Sequence, residues 1–573
     1  MRPLDAWVLI GTLASFVVYG VWRGRGTRDL DGYLLAGRSL PWPMIALSVM
    51  ATQASAITFL STPGQGYVDG LRFVQFYFGL PLAMVVLCVT AVPAYHRIRA
   101  FTAYEYLERR FDGRTRTLAA GLFLVQRGLS AGLTLYAPAL VLSVLLGWDT
   151  RWTCALLGLL AVFYTFTGGG KAVGHAHTLQ FLIIIAAMAL AFALVMRALP
   201  PGVGWHGALL LAARSGRLNP IQLRFDPNDR YNLWSGLIGG FFLQLSYFGC
   251  DQSQVGRYLS GQSVRESRLG LLFNGLFKIP MQFGILLLGV MVFVYHLFAP
   301  APLLFNPIES DRVARGAHAT EWSALARRHD ALLGPTSEAA AAMVAARRHG
   351  DAAAEAAAGE RLAASERERA SLRDAAAQVV HDTDAGAQTS DTNYIFLWFV
   401  MRVLPAGVAG LVLAAMFAAA MNSSSAELHS LTTTTVVDVV RRWRAPDARS
   451  GPAAAAGDVW MSRFITLGWA AFAVGFAEFS SRLGSLIEAV NILGSLFYGT
   501  LLGIFLTAFL LPRVGGRAVF FAALVGEACV LACFRFSRVS FLWYNVVGCL
   551  VVMAVALALS ALAPRGARDA RAA

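Results

Sequence analysis

Two clusters of small hydroxyl and amide side chains interrupt otherwise apolar stretches of this chain. The first, Ala51-Thr52-Gln53-Ala54-Ser55, lies within SLPWPMIALSVMATQASAITFLSTPGQGY. The second, Ser423-Ser424-Ser425 followed by Thr432 to Thr435, lies within GLVLAAMFAAAMNSSSAELHSLTTTTVVDVV. These side chains carry no charge but supply oxygen atoms, the ligands that hard cations such as Na⁺ prefer. A helix interrupted in the first cluster, or at Thr62-Pro63-Gly64 where a regular helix is not expected to continue, leaves carbonyls without partners. At membrane depth such carbonyls persist only where they line a cavity or hold an ion. Small residues equally serve close helix packing, and hydroxyls can bond back to their own helix, so residue type alone leaves both readings open. A third segment, NLWSGLIGGFFLQLSYFGCDQSQVGRYLS, sets Gln244, Ser246, Tyr247, Asp251 and Gln252 among the loosening glycines Gly239, Gly240 and Gly249. Lys278 stands alone in LFNGLFKIPMQFG, and Glu488 and Asn491 share another apolar run. A lone charge in lipid costs at least about 2.5–3.5 kcal/mol, so these groups are expected to face the protein interior or water.

The elements that position these residues are membrane-spanning helices. The chain is 57% hydrophobic with only 14% charged residues, more apolar surface than a water-soluble fold of this size can bury. Thirteen apolar spans are expected, centred near residues 13, 53, 84, 131, 159, 186, 245, 283, 413, 468, 496, 525 and 550, each long enough to cross about 30 Å of hydrocarbon. No short alternating segments of a β-barrel are seen. The N-terminal apolar run from Trp7 to Trp22 has no small-residue cleavage site before Arg23 and reads as a retained span. The six cysteines fall in or beside apolar segments without zinc-type spacing and read as buried thiols.

Arginine sets the orientation. Arg23, Arg25, Arg28 and Arg38 follow the first span. Arg97, Arg99, Arg109, Arg110, Arg114 and Arg116 follow the third. Arg257, Arg265 and Arg268 follow the seventh, and Arg441, Arg442, Arg444 and Arg449 the ninth. These loops share one side, which the positive-inside rule makes cytoplasmic. The N-terminus is then extracytoplasmic, the C-terminus cytoplasmic, and the protein a multi-pass inner (cell) membrane protein. The net charge of +14 belongs to these loop ends, and a basic surface without stacking aromatics is no case for nucleic acid.

Residues 302–391 break the pattern with an Ala-, Arg- and Glu-rich insert, extracytoplasmic by span parity. Its composition favours helix, with a turn expected at Gly334-Pro335 and Thr336 or Ser337 capping the next helix. It reads as a solvated helical hairpin, with an extracytoplasmic partner as the alternative use. The expected organisation is a first helix and loop over 1–40, a first repeat over 41–200, an outer loop over 201–231 and two further core helices over 232–301. The insert follows, then core helices over 392–512 and two last helices with a short tail over 513–573.

Interrupted helices and polar groups near the midplane point to a secondary transporter of the leucine-transporter type, in which two inverted repeats hold substrate and ion between them. With the first helix an addition, spans 2–6 and 7–11 form a 5+5 repeat, and the interrupted spans 2 and 7 open each half. The fold expected is thus an all-α polytopic membrane protein of about 13 transmembrane helices. An enzyme is not indicated. There is no HExxH or P-loop, and the GxSxG match Gly128-Leu129-Ser130-Ala131-Gly132 falls inside a span rather than on a strand-to-helix turn.

Several ordered motifs carry a resemblance to the sodium:solute symporters: YLLAGRSLPW, TAYEYLERRFD, LYAPALVLSVLLGWD, FYTFTGGGKAV, GCDQSQVGRYLS and the serine-rich segment around Ser423. The set is most similar to the monocarboxylate, multivitamin and iodide branch, and covers nearly all the chain outside the insert. The resemblance implies a co-transported sodium between the first and eighth core helices, held by the carbonyls of Ala51, Ala54 and Ala420 and the hydroxyls of Ser423 and Ser424. It implies a solute beside Thr58, Gln75, Tyr77, Gln244 and Tyr247, with Lys278 nearby and Tyr247 as the inner gate. Where the family often has an aspartate after Gly-Gly-Lys-Ala, this chain has His177, which suggests one sodium per cycle and leaves a proton or second-ion role open, because histidine titrates near neutral pH. Lys278, with Arg72 at the outer mouth, favours a small organic anion such as a monocarboxylate. A sugar or sialic-acid-like solute, a proton-coupled carrier and a sensor retaining the fold are the alternatives.

Overall fold

The structure is a computed structural model and describes residues 2–24, 35–387, 389–443, 452–480 and 485–562. Arg25, Arg28, Arg444 and Arg449 of the orientation argument, and the basic tail from 564, lie outside these residues. The described chain is helical, with one isolated bridge between Leu40 and Gly261. The helices used below are α1 (Pro3–Gly24), α2 (Trp42–Gln53), α3 (Ala56–Asp69), α4 (Leu80–Val89), α5 (Gly113–Leu146), α6 (Thr150–Ala198), α7 (Gly240–Gly249), α8 (Gln252–Leu259) and α9 (Val264–His296). They continue with α10 (Ala319–Ala331), α11 (Leu333–His349), α12 (Ala352–Thr383), α13 (Thr392–Val403), α14 (Val408–Thr434), α15 (Pro452–Ser480), α16 (Leu486–Leu510), α17 (Gly516–Phe536) and α18 (Leu542–Leu562).

Among the described residues, nine helices are long and apolar enough to cross a membrane, and they cover nine of the thirteen expected centres. The other four centres have identifiable reasons. Near residue 13 the apolar part of α1 is short. The centres near 53 and 245 fall on helices that are broken. The centre near 159 lies in α6, where the two spans expected on either side of residue 170 run as one helix of 49 residues. At 1.5 Å per residue that helix is about 74 Å long, more than twice the hydrocarbon thickness, and its second part, His177–Ala198, is a candidate span by itself.

Both expected interruptions are present as breaks in the helices. In the first, α2 stops at Gln53, Ala54 takes φ −87°, ψ 72°, and Ser55 is extended before α3 begins. In the second, α7 stops at Gly249, Cys250 leaves helical geometry, and Asp251 is extended, its carboxylate capping α8 by accepting from the Ser253 N–H at 2.8 Å. The Thr62-Pro63-Gly64 signal does not break the chain: α3 runs through Pro63 to Asp69. Packing holds the helical path there, because a Cβ at Gly64 would sit 1.9 Å from the Thr392 carbonyl oxygen, and one at Gly289 equally close to that of Pro63. Only glycine at those two points lets α13 and α9 close on the proline turn.

The insert is a stack of helices rather than a single hairpin. The turn lies two residues before the expected Gly334-Pro335, at Leu332 between α10 and α11. Gly334 and Pro335 sit in the first turn of α11, and the Thr336 hydroxyl bonds back to the Leu332 carbonyl at 2.6 Å instead of capping. The sharper turn is Gly350-Asp351, with Gly350 at φ 72° and Asp351 capping α12. Arg373 clamps Asp391 with two bonds of 2.8 and 2.9 Å, and Asp391 also accepts from the Phe305 N–H at 2.7 Å, tying the insert to the start of α13.

Candidate functional site

The two helix breaks solve the problem of their free carbonyls differently. A terminated helix leaves its last carbonyl groups without intrahelical donors. At the second break, Tyr95 donates to the Gly249 carbonyl at 2.7 Å and Tyr104 to that of Cys250 at 2.9 Å. At the first break the neighbour is α14, and the Ser423 hydroxyl donates to the Thr52 carbonyl at 3.3 Å. The adjacent Ser424 hydroxyl is buried, 3% exposed, and has no hydrogen-bond partner. Ala51, Ala54 and Ala420 are buried, and the Ala54 N–H still closes the last turn of α2 on Met50 at 2.8 Å. The structure therefore brings Ser423 to the end of α2, with an unsatisfied hydroxyl beside it. A buried hydroxyl without a partner is costly, and a cation accepting its lone pair removes that cost.

A cavity of about 100 Å³ adjoins this junction. Four of the six expected solute residues line it: Thr58, Tyr77, Gln244 and Tyr247. So do Thr52, Gln53, Ser55 and Ser423 from the break, and Asn491 from α16. Tyr247, two residues before the end of α7, accepts a 2.6 Å hydrogen bond from Gln254 of α8 and packs on Tyr498. It thereby bridges the second break and the cavity.

Two expected residues are elsewhere. Gln75 is buried outside the lining and saturated: it donates to the Tyr231 carbonyl at 2.9 Å and to that of Arg72, and accepts from the Gln222 N–H at 2.9 Å. It anchors the outer loop. Lys278 is fully buried in α9, its ammonium 5.2 Å from the Tyr77 ring centroid and without a hydrogen-bond partner. It stands behind a lining residue rather than among them. His177 is buried against α2, with Nδ1 3.4 Å from the Ser48 hydroxyl and Nε2 unpartnered; it does not line the cavity. Arg72 is occupied by Asp229 at 2.6 Å. Glu488 lies in the first turn of α16, pairing with Arg230 at 2.5 Å and accepting from the Tyr231 hydroxyl at 3.0 Å.

The sequence reading missed the charged cluster beside the cavity. Arg127 of α5, 4% exposed, bridges Asp251 at the second break and Glu427 of α14. The Tyr498 hydroxyl donates to Asp251 at 2.8 Å, and Ser130 and Thr134 donate to Glu427 at 3.4 and 3.2 Å. The signal was available: Arg127 and Glu427 are lone charges inside apolar spans, the same feature that marked Lys278.

The family model "Sodium:solute symporter family" matches residues 33–327 and 372–526, skipping only part of the insert and the two ends. The human sodium/iodide cotransporter is 31% identical over 296 residues, covering 51% of this chain and 45% of that protein. The rabbit (Oryctolagus cuniculus) sodium-dependent multivitamin transporter is 25% identical over 502 residues, 86% of this chain and 64% of that protein. The matched region thus spans about half to under two thirds of these curated relatives' length. Among solved structures, a Na⁺-coupled sialic acid symporter in a substrate-bound outward-open state superposes with TM-score 0.75 at 21% identity, over 98% of each chain. That likeness establishes a shared fold.

Proposed function

Because the chain belongs to the sodium:solute symporter family, we propose that it imports a small organic solute by alternating access, driven by sodium. The observation that carries this reading is the junction of Ser423 and Ser424 with the broken α2–α3 helix at the edge of the cavity. The carbonyls of Ala51, Ala54 and Ala420 and the hydroxyls of Ser423 and Ser424 would hold the sodium. Thr58, Tyr77, Gln244 and Tyr247 would contact the solute. Sodium bound there joins α2 to α14 and completes one wall of the solute cavity, so each ligand favours the conformation the other needs, which is the thermodynamic content of coupling. Tyr247 moves aside for inward release.

The protein sits in the inner membrane with its N-terminus outside, and the 302–391 insert faces the extracytoplasmic space, where a partner would meet it. A small organic anion is the favoured solute, supported by the unpartnered ammonium of Lys278 behind Tyr77. A neutral sugar-like or sialic-acid-like solute is the second reading, favoured by the amides of Gln53, Gln126, Gln244 and Asn491 in the lining. Uptake of a labelled panel of both classes into proteoliposomes, with and without an inward sodium gradient, tests the reading; uptake indifferent to sodium refutes it.

A further inference from the structure

A second cavity opens where α8 lies against α14. It is lined by Gln252, Gly256 and Arg257 of α8 and by His429, Ser430 and Thr433 of α14, and it shares no lining residue with the first. On both strands of the chain one cavity follows the other. Tyr247 lines the first and Gln252, across the break, the second; Glu427 lines the first and His429 the second. With 1.5 Å of rise per residue, Thr433 lies about 15 Å beyond Ser423 along α14, toward the end that leads to Arg441 and Arg442. In the orientation proposed above that end is cytoplasmic, so the second cavity stands inward of the first.

The cavity is about 10 Å³, room for a single water-sized atom. Residues that enclose so small a space all border the same point, so their chemistry converges there. The Gln252 amide is spent, donating to the Phe101 carbonyl at 2.8 Å and accepting from the Ala103 N–H at 3.1 Å. The Ser430 and Thr433 hydroxyls donate to the Glu427 and His429 carbonyls of their own helix, each at 2.8 Å. The other two polar side chains are Arg257, 8% exposed, and His429, 7% exposed. A guanidinium carries five N–H donors and an imidazole at least one. Among the described residues no carboxylate lines this cavity; Glu427 turns to the first, where Arg127 holds it. A space of positive sign walled by N–H donors disfavours sodium and suits the oxygen of an anion.

We propose that Arg257 and His429 form a release station that receives the carboxylate of the transported solute once it has passed Tyr247. The station rests on the organic-anion reading above, and it names the group that solute carries: a carboxylate, one oxygen of which fits the cavity. Gly256 sets the room available. A Cβ at that position would meet only the Gln252 amide nitrogen, at 3.5 Å, so alanine fits the helix while its methyl group takes up space the anion needs.

The test is ³⁵Cl⁻ magnetic-resonance line broadening on the purified full chain in sodium-free buffer, with chloride as the probe and acetate as the competitor. Native protein is expected to show a saturable component that acetate displaces. Arg257→Gln is expected to weaken it about tenfold, the loss of one charge-assisted bond. Gly256→Ala, which changes no charge and favours helix, is expected to weaken it by a similar factor and keeps the proposal testable should Arg257→Gln fail to fold. A component absent from native protein, or unchanged in the folded variants, overturns the station. Chloride binding that acetate does not displace assigns the cavity to a halide and overturns the carboxylate role. In sodium-driven uptake of the labelled carboxylates, Gly256→Ala is expected to lower the maximal rate severalfold without raising the half-saturating outer concentration, because release and not capture is slowed. A raised half-saturating concentration at unchanged maximal rate overturns the release role. Uptake of sugars alone overturns the anion reading itself, an outcome the binding measurement does not share.

Discussion

Ser423 on α14 donates to the carbonyl of Thr52 on α2 across 371 residues of sequence, at the point where α2 ends. This contact fastens the break in the first repeat to the helix facing it. The break between α7 and α8 is sealed by Tyr95 and Tyr104. One break is closed by protein donors. The other is left with the unsatisfied Ser424 hydroxyl, and the proposed sodium site rests on that asymmetry.

Ser424→Ala separates function from stability. Its hydroxyl is buried and has no protein partner, so in sodium-free buffer the variant is expected to be at least as stable as native protein, because the change removes an unsatisfied polar group. The stabilisation conferred by sodium, which follows ligand mass action, is expected to fall sharply. A thermal shift measured against sodium concentration checks both halves. A large loss of stability without sodium would assign Ser424 a packing role instead.

Arg127→Gln leaves Asp251 and Glu427 buried without their shared cation. Breaking a buried pair in this way costs about 3–5 kcal/mol. Neutralising the partner as well, in Arg127→Gln/Glu427→Gln, should recover part of the loss. Detergent-stability curves for the two variants decide this, and additive losses would mean that the charges are uncoupled.

Lys278 is a buried cation with no hydrogen-bond partner behind the cavity wall. Lys278→Met keeps the length of the side chain and removes the charge, so the protein without solute is expected to be at least as stable as native. If the solute is an anion, its affinity in the variant falls while sodium binding does not. Unchanged affinity for a carboxylate solute would remove the support that Lys278 gives to the anion reading.

The insert is expected to respond to acid. Burial, together with the neighbouring Arg369 and Arg373, lowers His329 from its ordinary 6.5 to about 4, only partly opposed by Asp330. The unfolded segment therefore takes up a proton before the folded one as pH falls. The stabilisation is complete above about pH 6.5 and is lost progressively toward pH 4. Amide exchange in α10 should accelerate over that window and not in His329→Leu. A flat profile in native protein would show that His329 stays neutral without consequence.

How much of this was legible beforehand differs by residue. The Ala51–Ser55 and Gly249–Asp251 interruptions could be read because polar or small residues in an apolar run are expensive unless they serve a purpose. Their presence in two separate spans suggested the expected architecture. Pro63 misled, since what keeps α3 helical is the close approach of Thr392 and Leu286 to Gly64 and Gly66, contacts with residues more than 200 positions away. Gln75 likewise looks like any polar residue at a cavity edge until the outer loop that occupies it is in place. The Arg127–Asp251–Glu427 cluster is assembled from three separate segments, so each member was visible as a lone polar or charged residue while their partnership was not. The His177–Ser48 contact joins α6 to α2 in the same way.

The most direct test of sodium-coupled transport is charge movement across proteoliposomes holding the full chain, with a solute panel applied in sodium, potassium or choline buffer. The expected result is a transient current that needs both sodium and one class of solute and is lost in Ser423→Ala/Ser424→Ala. A solute-evoked current of equal size in potassium or choline, or one that survives unchanged in the double variant, would contradict sodium coupling through this junction.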